Sequence, residues 1–231
     1  MKLFNFILIL NLSFFAVMGQ EKKDTGRFFG GFETNAQRYL EFENDEDSPE
    51  YFRSNNYLQL NYELKKWTFG MQVESYAKQA LLNYYPGFDG TNVATYFAKY
   101  KAKKLEATAG YFYEQFGSGL AFRAYEDRAL GYDNMMDGAR IIVRPTSGLV
   151  IKGIYGYQRL SFQGGNIIHG DGIVRGIDGE FHLNEGLKKM KDFPLDVVLG
   201  ASFVSKYQED NNPDLILPQN VGTYGGRMKL R

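Results

Sequence analysis

A chain of 231 residues carries 27 Lys and Arg against 27 Asp and Glu, so its formal charge is zero and nothing in the bulk composition draws it to nucleic acid. It has no Cys, which excludes disulfide frameworks, thiolate metal sites, cysteine nucleophiles and the lipidated cysteine of a lipoprotein. Aromatic residues reach 16% and Gly counts 26, yet the mean hydropathy is −0.39.

The first expected element, residues 1–19, is an export signal. Lys2 supplies a positive start, residues 3–17 form an apolar run broken by Asn5, Asn11 and Ser13, and Val17-Met18-Gly19 suits a signal peptidase, leaving Gln20 as the mature N-terminus. The alternative, an anchor helix, falls short of the roughly 20 apolar residues that a span needs. No later segment approaches that length, so residues 20–231 would have to enter a membrane as strands.

From there the dominant period is two. An opening strand at 27–39 sets Phe28, Phe32 and Ala36 against Glu33, Asn35 and Gln37. Leu58, Leu60, Tyr62 and Leu64 then share one parity and Tyr57, Gln59, Asn61 and Glu63 the other; after Lys65-Lys66, Trp67, Phe69, Met71 and Val73 alternate with Thr68, Gly70, Gln72 and Glu74. Two residues between alternating runs predict a hairpin. Further hairpins are expected at 94–100 with 105–113, at 139–144 with 149–158, and at 173–183 with 195–207, and a last strand starts near Val221.

Long polar connections (41–50, 77–91, 117–138, 161–172, 208–220) alternate with short, Lys-rich turns, 184–193 being the longer exception. That asymmetry predicts an all-β fold, an antiparallel transmembrane β-barrel of up-and-down hairpins with about ten strands in this chain. Tyr62, Trp67 and Tyr100 near the short-turn end, and Tyr111, Tyr113, Tyr155, Tyr157, Phe203 and Tyr207 near the long-loop end, would form its two aromatic girdles. The polar parity would line the lumen with Glu33, Arg53, Glu63, Glu74, Lys99, Glu106, Glu114, Arg140, Lys152, Asp178 and Glu180. Both signs are mixed there, which suits a lumen braced by ion pairs as well as a selective channel. A Tyr-rich soluble sandwich is the competing architecture and accounts less well for tyrosines at strand ends.

The runs GGFETN (30–35), FRSNNY (52–57), ESY (74–76) with LLNYYPG (81–87), and GYFYEQFGSGL (110–120) followed by RAYEDR (123–128) resemble an uncharacterised family of Bacteroidota outer-membrane proteins, known only as a domain of unknown function. The likeness covers residues 30–156. It implies an outer-membrane barrel and supplies no substrate. Its members are longer, which implies that this chain is the N-terminal portion of a longer barrel, truncated at the C-terminus.

Chemistry-bearing candidates are few. His169 lies in a long connection near Asn166 and Asp171 without a convincing Ser beside it, and His182 sits on a polar parity, so a barrel hydrolase using a loop histidine is the weakest reading. The acidic stretch 41–50 lacks the ordered spacing of a calcium loop. Glycosidase-like carboxylate pairs could be drawn from Glu106, Glu114, Asp178 and Glu180, but charged lumen residues are ordinary in barrels, and the aromatic patch 84–88 reads as a loop anchor or partner surface ahead of a sugar platform.

The connection FGSGLAFRAYEDRALGYDN (116–134) holds apolar residues among Arg123, Glu126, Asp127 and Arg128. Either it folds inward as a plug or constriction, or it packs outward on its neighbours. The expected protein is therefore non-enzymatic and without cofactor or metal. It sits in the outer membrane with lipid and other envelope proteins as partners and no nucleic acid. It acts as a porin-like conduit or as the membrane component of a transport or secretion assembly. A structural or ligand-binding barrel with a filled lumen is the alternative.

Overall fold

The computed structural model describes residues 25–38, 52–77, 80–81, 87–210 and 217–231; the expected export signal, the acidic stretch 41–50 and residues 84–86 of the aromatic patch lie outside them. The strands are β1 (Arg27–Arg38), β2 (Phe52–Leu64), β3 (Trp67–Ala77), β4 (Gly90–Lys101) and β5 (Leu105–Phe112), then four two-residue strands, β6 (Glu114–Gln115), β7 (Arg123–Ala124), β8 (Glu126–Asp127) and β9 (Tyr132–Asp133). β10 (Met136–Val143), β11 (Leu149–Gln163), β12 (Asn166–His169), β13 (Ile173–His182), β14 (Val197–Tyr207) and β15 (Asn220–Leu230) follow. One short helix, α1 (Leu183–Gly186), with a 3-10 turn at Lys188–Met190, joins β13 to β14.

One antiparallel sheet runs β1-β2-β3-β4-β5-β10-β11-β13-β14-β15, with β12 paired to the far end of β11. The period-two pattern sets its register. Leu58 lies opposite Val73, Leu60 opposite Met71 and Leu64 opposite Trp67, while Gln59 faces Gln72 on the other side. Apolar therefore meets apolar across this ladder. The Lys65-Lys66 turn closes with Lys65 at φ 56°, the left-handed geometry that tight hairpins require.

The fold is thus all-β and antiparallel as expected, but the sheet is open. Among the described residues β1 and β15 are each paired on one side only, so the expected barrel closure is not reached. β1 is exposed at every residue and β15 at nearly every one, which is the burial pattern of edge strands with a free row of backbone donors and acceptors.

The two faces differ sharply. Trp67, Phe69, Met71, Tyr96, Ile141, Tyr155, Ile177, Leu199 and Met228 share the apolar face and remain exposed there. The buried core lies on the opposite, polar face. One cluster joins Phe112, Met136, Ile154, Val174 and Val204 to Phe116, Phe122 and Ala124; another joins Tyr57, Tyr76, Ala80, Ala94, Phe88 and Phe162.

Residues 113–135 build the first cluster by leaving the sheet after Phe112 and crossing the polar face. Gly110 marks the parting point. It makes the last β4–β5 pair with Phe97, adopts φ 96°, and has no room for a Cβ beside the Tyr96 carbonyl. Above it the β11–β12 hairpin leans across to β4, where the Asp89 N–H donates to the Phe162 carbonyl at 2.7 Å and the Gly165 N–H to the Asp89 carbonyl at 3.3 Å.

Candidate functional site

Three ionic clusters occupy the polar face. In the first, the fully buried Arg159 donates to both Glu74 oxygens, at 2.8 and 2.6 Å, and lies 2.9 Å from Asp133. Glu74 also accepts from the Tyr76 hydroxyl at 2.7 Å and the Gln72 amide at 2.9 Å. Asp133 accepts from the Tyr113 hydroxyl at 3.1 Å and the Met135 N–H at 3.0 Å. This cluster ties together β3, the crossing segment and the β11 extension, three parts of the chain remote in sequence.

In the second cluster Arg140 pairs with Glu106 and, at 3.2 Å, with Glu114; Lys99 lies 3.3 Å from Glu106 and Lys152 2.7 Å from Glu114. The third is built by Arg227 of β15, which reaches Asp178 at 2.7 and 3.0 Å, Glu180 at 3.0 Å and the Ser202 hydroxyl at 2.7 Å. Buried ions of one sign alone would be untenable, and each cluster mixes both signs with hydrogen bonds to the remaining lone pairs.

The expected lumen residues Glu74, Lys99, Glu106, Glu114, Arg140, Lys152, Asp178 and Glu180 all meet in these clusters. Glu63 instead makes a half-exposed pair with Arg27 at 3.0 Å, and Arg53 stands opposite Gln37 in the β1–β2 ladder. Of the four residues expected in a plug, Arg128 bridges the crossing segment to the sheet: it pairs with Glu33 of β1 and lies 3.9 Å over the Tyr57 ring. Glu126 braces Arg128 at 2.8 Å, Arg123 stacks on Tyr125 at 3.8 Å, and Asp127 accepts from the Ala129 N–H at 3.1 Å. At the other end of the segment, a Cβ on Gly117 would press on the Arg227 side chain of β15. Residues 113–135 therefore reach both edges of the open sheet.

Among the expected girdle residues, Trp67 packs 5.1 Å from Tyr100, Tyr62 lies beside Phe28, and Phe203 lies beside Tyr224. Tyr155 and Tyr157 are exposed on the apolar face, and Tyr207 lies on it half-buried, opposite Ile173. Tyr111 is on that face but buried, stacked under the His169 ring. Tyr113 departs from the expectation. The chain has already left β5 there, and its hydroxyl turns inward to Asp133. Phe88, from the expected surface patch, is buried in the core.

His169 meets Asp137 at 3.1 Å, not Asp171, while the Asn166 amide is spent on the Gly164 carbonyl at 3.4 Å. Ser161 is fully buried within the β11 extension, where it pairs with Ile168 in the ladder. Among the described residues no group of three His, Asp or Glu converges on a metal-sized site, and no helix is long and apolar enough to cross a membrane.

Sequence reasoning missed Arg159, Asp133 and Arg227. Strict alternation from Tyr155 and Tyr157 would put Arg159 on the apolar face; instead it is fully buried, next to an irregularity in the β11–β12 ladder between Arg159 and Ser161. Within the crossing segment, burial pushes the Asp133 carboxyl up to about 6, against the pull of Arg159 and the Met135 N–H. Burial, with the charge of Asp133 beside it, likewise holds the Tyr113 hydroxyl far above its ordinary value, so it remains a donor.

Compared with known proteins, the whole chain, residues 1–231, matches one family, described as a family of unknown function (DUF6029). No curated protein and no solved structure matches it.

Proposed function

We propose, for a chain that belongs to the family of unknown function DUF6029, that it is an exported outer-membrane barrel protein of a Bacteroidota bacterium. In this reading it works without catalysis, as a conduit or as the membrane component of a transport or secretion assembly. Its polar face lines the interior, and residues 113–135 form the constriction. The free edges of β1 and β15 would be paired in the membrane, since lipid leaves no solvent for open ladder groups.

One asymmetry carries this reading: the sheet exposes its large apolar side chains on one face and keeps its core and ionic clusters on the other. Nine half-exposed apolar side chains at about 1 kcal/mol each would cost roughly 9 kcal/mol in water, comparable to the whole stability of a domain. Against lipid the same face costs nothing and needs no partner protein. Mixed-sign clusters then act as braces for a water-lined or filled interior.

A filled interior is the second reading, favoured by the apolar contacts of Phe116 and Phe122 with the sheet. Planar-bilayer recording separates the two. The conduit reading expects a low unitary conductance that rises severalfold when residues 119–131 are deleted; an unchanged conductance refutes the constriction. Recovery of the protein from the periplasm without detergent refutes the membrane assignment.

A further inference from the structure

Beneath the crossing segment the polar face keeps a cavity of about 410 Å³ between β2, β3, β4, β5 and β10. Its lining joins polar side chains to Met71, Phe97, Tyr111, Phe112, Tyr113 and Met135, and Phe97 is the ring that the polar face of β4 contributes. Phe97 places an aromatic ring on the polar face of β4, two residues from Thr95 and from Lys99, and it belongs to neither buried apolar cluster.

The ring is positioned by what flanks it. Phe97 stands opposite Gly70 on β3 and Gly110 on β5. A Cβ at Gly70 would sit 2.5 Å from Phe97 Cζ and 2.6 Å from Asn61 Oδ1, so the ring occupies the space a side chain there would fill. Gly70 thus gives the ring its bed, while Gly110 lets the β5 backbone approach that of β4 beside it.

Around it the cavity presents neutral hydrogen-bonding groups: Gln59, Asn61, Gln72, Thr95 and Thr108. Gln59 donates to Gln72 at 2.8 Å and Gln72 donates to Glu74 at 2.9 Å, which orients both amides. Among the described residues no hydrogen bond ties up the Asn61 amide or the Thr95 hydroxyl. The cations at the margin, Lys99 and Arg140, are both engaged by Glu106, and Glu126 is held by Arg128. A charged solute would find no free counter-charge and would pay its desolvation in full.

An aromatic face attracts polarised C–H groups, and fixed neutral donors and acceptors match hydroxyls. Together they describe a ligand with an apolar face and a polar rim. The volume falls at the small end of ligand pockets. From this geometry we infer that the cavity is a binding site for a neutral saccharide of one or two rings, with Phe97 as its stacking platform. The inference rests on the conduit reading for its role, as a subsite along the passage.

The test is saturation-transfer NMR and calorimetry on the detergent-extracted protein, with glucose, N-acetylglucosamine, maltose and cellobiose as probes and glucuronate as the charged control. At least one neutral sugar should bind, more tightly than glucuronate. Phe97→Ala and Phe97→Leu should weaken it tenfold or more, and Phe97→Trp should stay within threefold. Gly70→Ala removes no polar group but displaces the Phe97 ring and crowds the Asn61 amide beside it; it should weaken binding at least fivefold while the unfolding midpoint stays near wild type. Failure of all four sugars to bind, a preference for glucuronate, or unchanged affinity in the Phe97 and Gly70 variants overturns the inference. Membrane fractionation and conductance are read separately, so a failed conduit reading and a failed sugar site give different results.

Discussion

Replacing Arg159 with Met would remove the one cation from a site that holds two carboxylates. The Arg159 guanidinium is wholly buried, and Glu74 and Asp133 are 1% and 7% exposed. At charge separations of about 4 Å and an effective dielectric near 20, each pair contributes about 4 kcal/mol of gross attraction, roughly 8 kcal/mol for two. Desolvation of the three ions cancels most of that, so the net worth of the intact cluster is small. The single substitution is costly for a different reason: it leaves two buried anions uncompensated, on the order of 3–5 kcal/mol. Urea unfolding in detergent, followed by the fluorescence of Trp67, the chain's single tryptophan, would read this loss as a lowered midpoint. Trypsin would read the accompanying release of residues 113–135 as new cleavage after Arg123 and Arg128. The triple variant Arg159→Met, Glu74→Gln, Asp133→Asn removes all three charges together and should return to within about 2 kcal/mol of wild type. A single-variant loss under about 1 kcal/mol, with unchanged cleavage, would refute the claim that this cluster clamps the crossing segment to the sheet.

Asp133 binds its proton more tightly when the segment is docked, because burial raises its carboxyl from 3.8 to about 6. Stability should therefore fall as pH rises from about 4 to about 6, by at most 2–3 kcal/mol at roughly 1.4 kcal/mol per unit; unfolding midpoints with the same slope in Asp133→Asn would count against this. Trp67, 45% exposed on the apolar face, should be quenched by lipids brominated near the headgroup and not by aqueous acrylamide, and the opposite pattern would speak against the membrane reading. Gly110→Ala, at φ 96° and against the Tyr96 carbonyl, should cost about 1–3 kcal/mol of unfolding free energy; Gly179→Ala, with nothing within 4 Å, serves as a near-neutral control. In lipid, the amides of β1 and β15 should show slow hydrogen exchange if their free edges are paired, and exchange at the rate of open chain would rule out closure.

The strands, their register and their two faces were legible in the sequence because all three follow from local information. A period of two sends successive side chains to opposite sides, and Lys65-Lys66 leaves only a hairpin between Leu64 and Trp67. The assignment of Glu74, Glu106, Arg140 and Asp178 to one face follows from the same parity. Where parity breaks, the sequence loses its authority. Nothing local marks the break in alternation between Tyr157 and Arg159 that buries Arg159, or the departure after Phe112 that takes Tyr113 off the girdle and turns its hydroxyl to Asp133.

The sequence by itself determined a chain of amphipathic antiparallel strands, since alternation is written residue by residue. Tertiary structure decided which charges meet. Glu74 and Arg159 are 85 residues apart, and Arg128 and Glu33 are 95 apart. The first pair depends on how the far end of β11 leans back over β3, and the second on how a 23-residue segment, 113–135, crosses the sheet, with Phe116 and Phe122 buried among Ile154, Val174 and Val204. The energy that places them is the sum of contacts between distant strands, so it exists only once the sheet has formed.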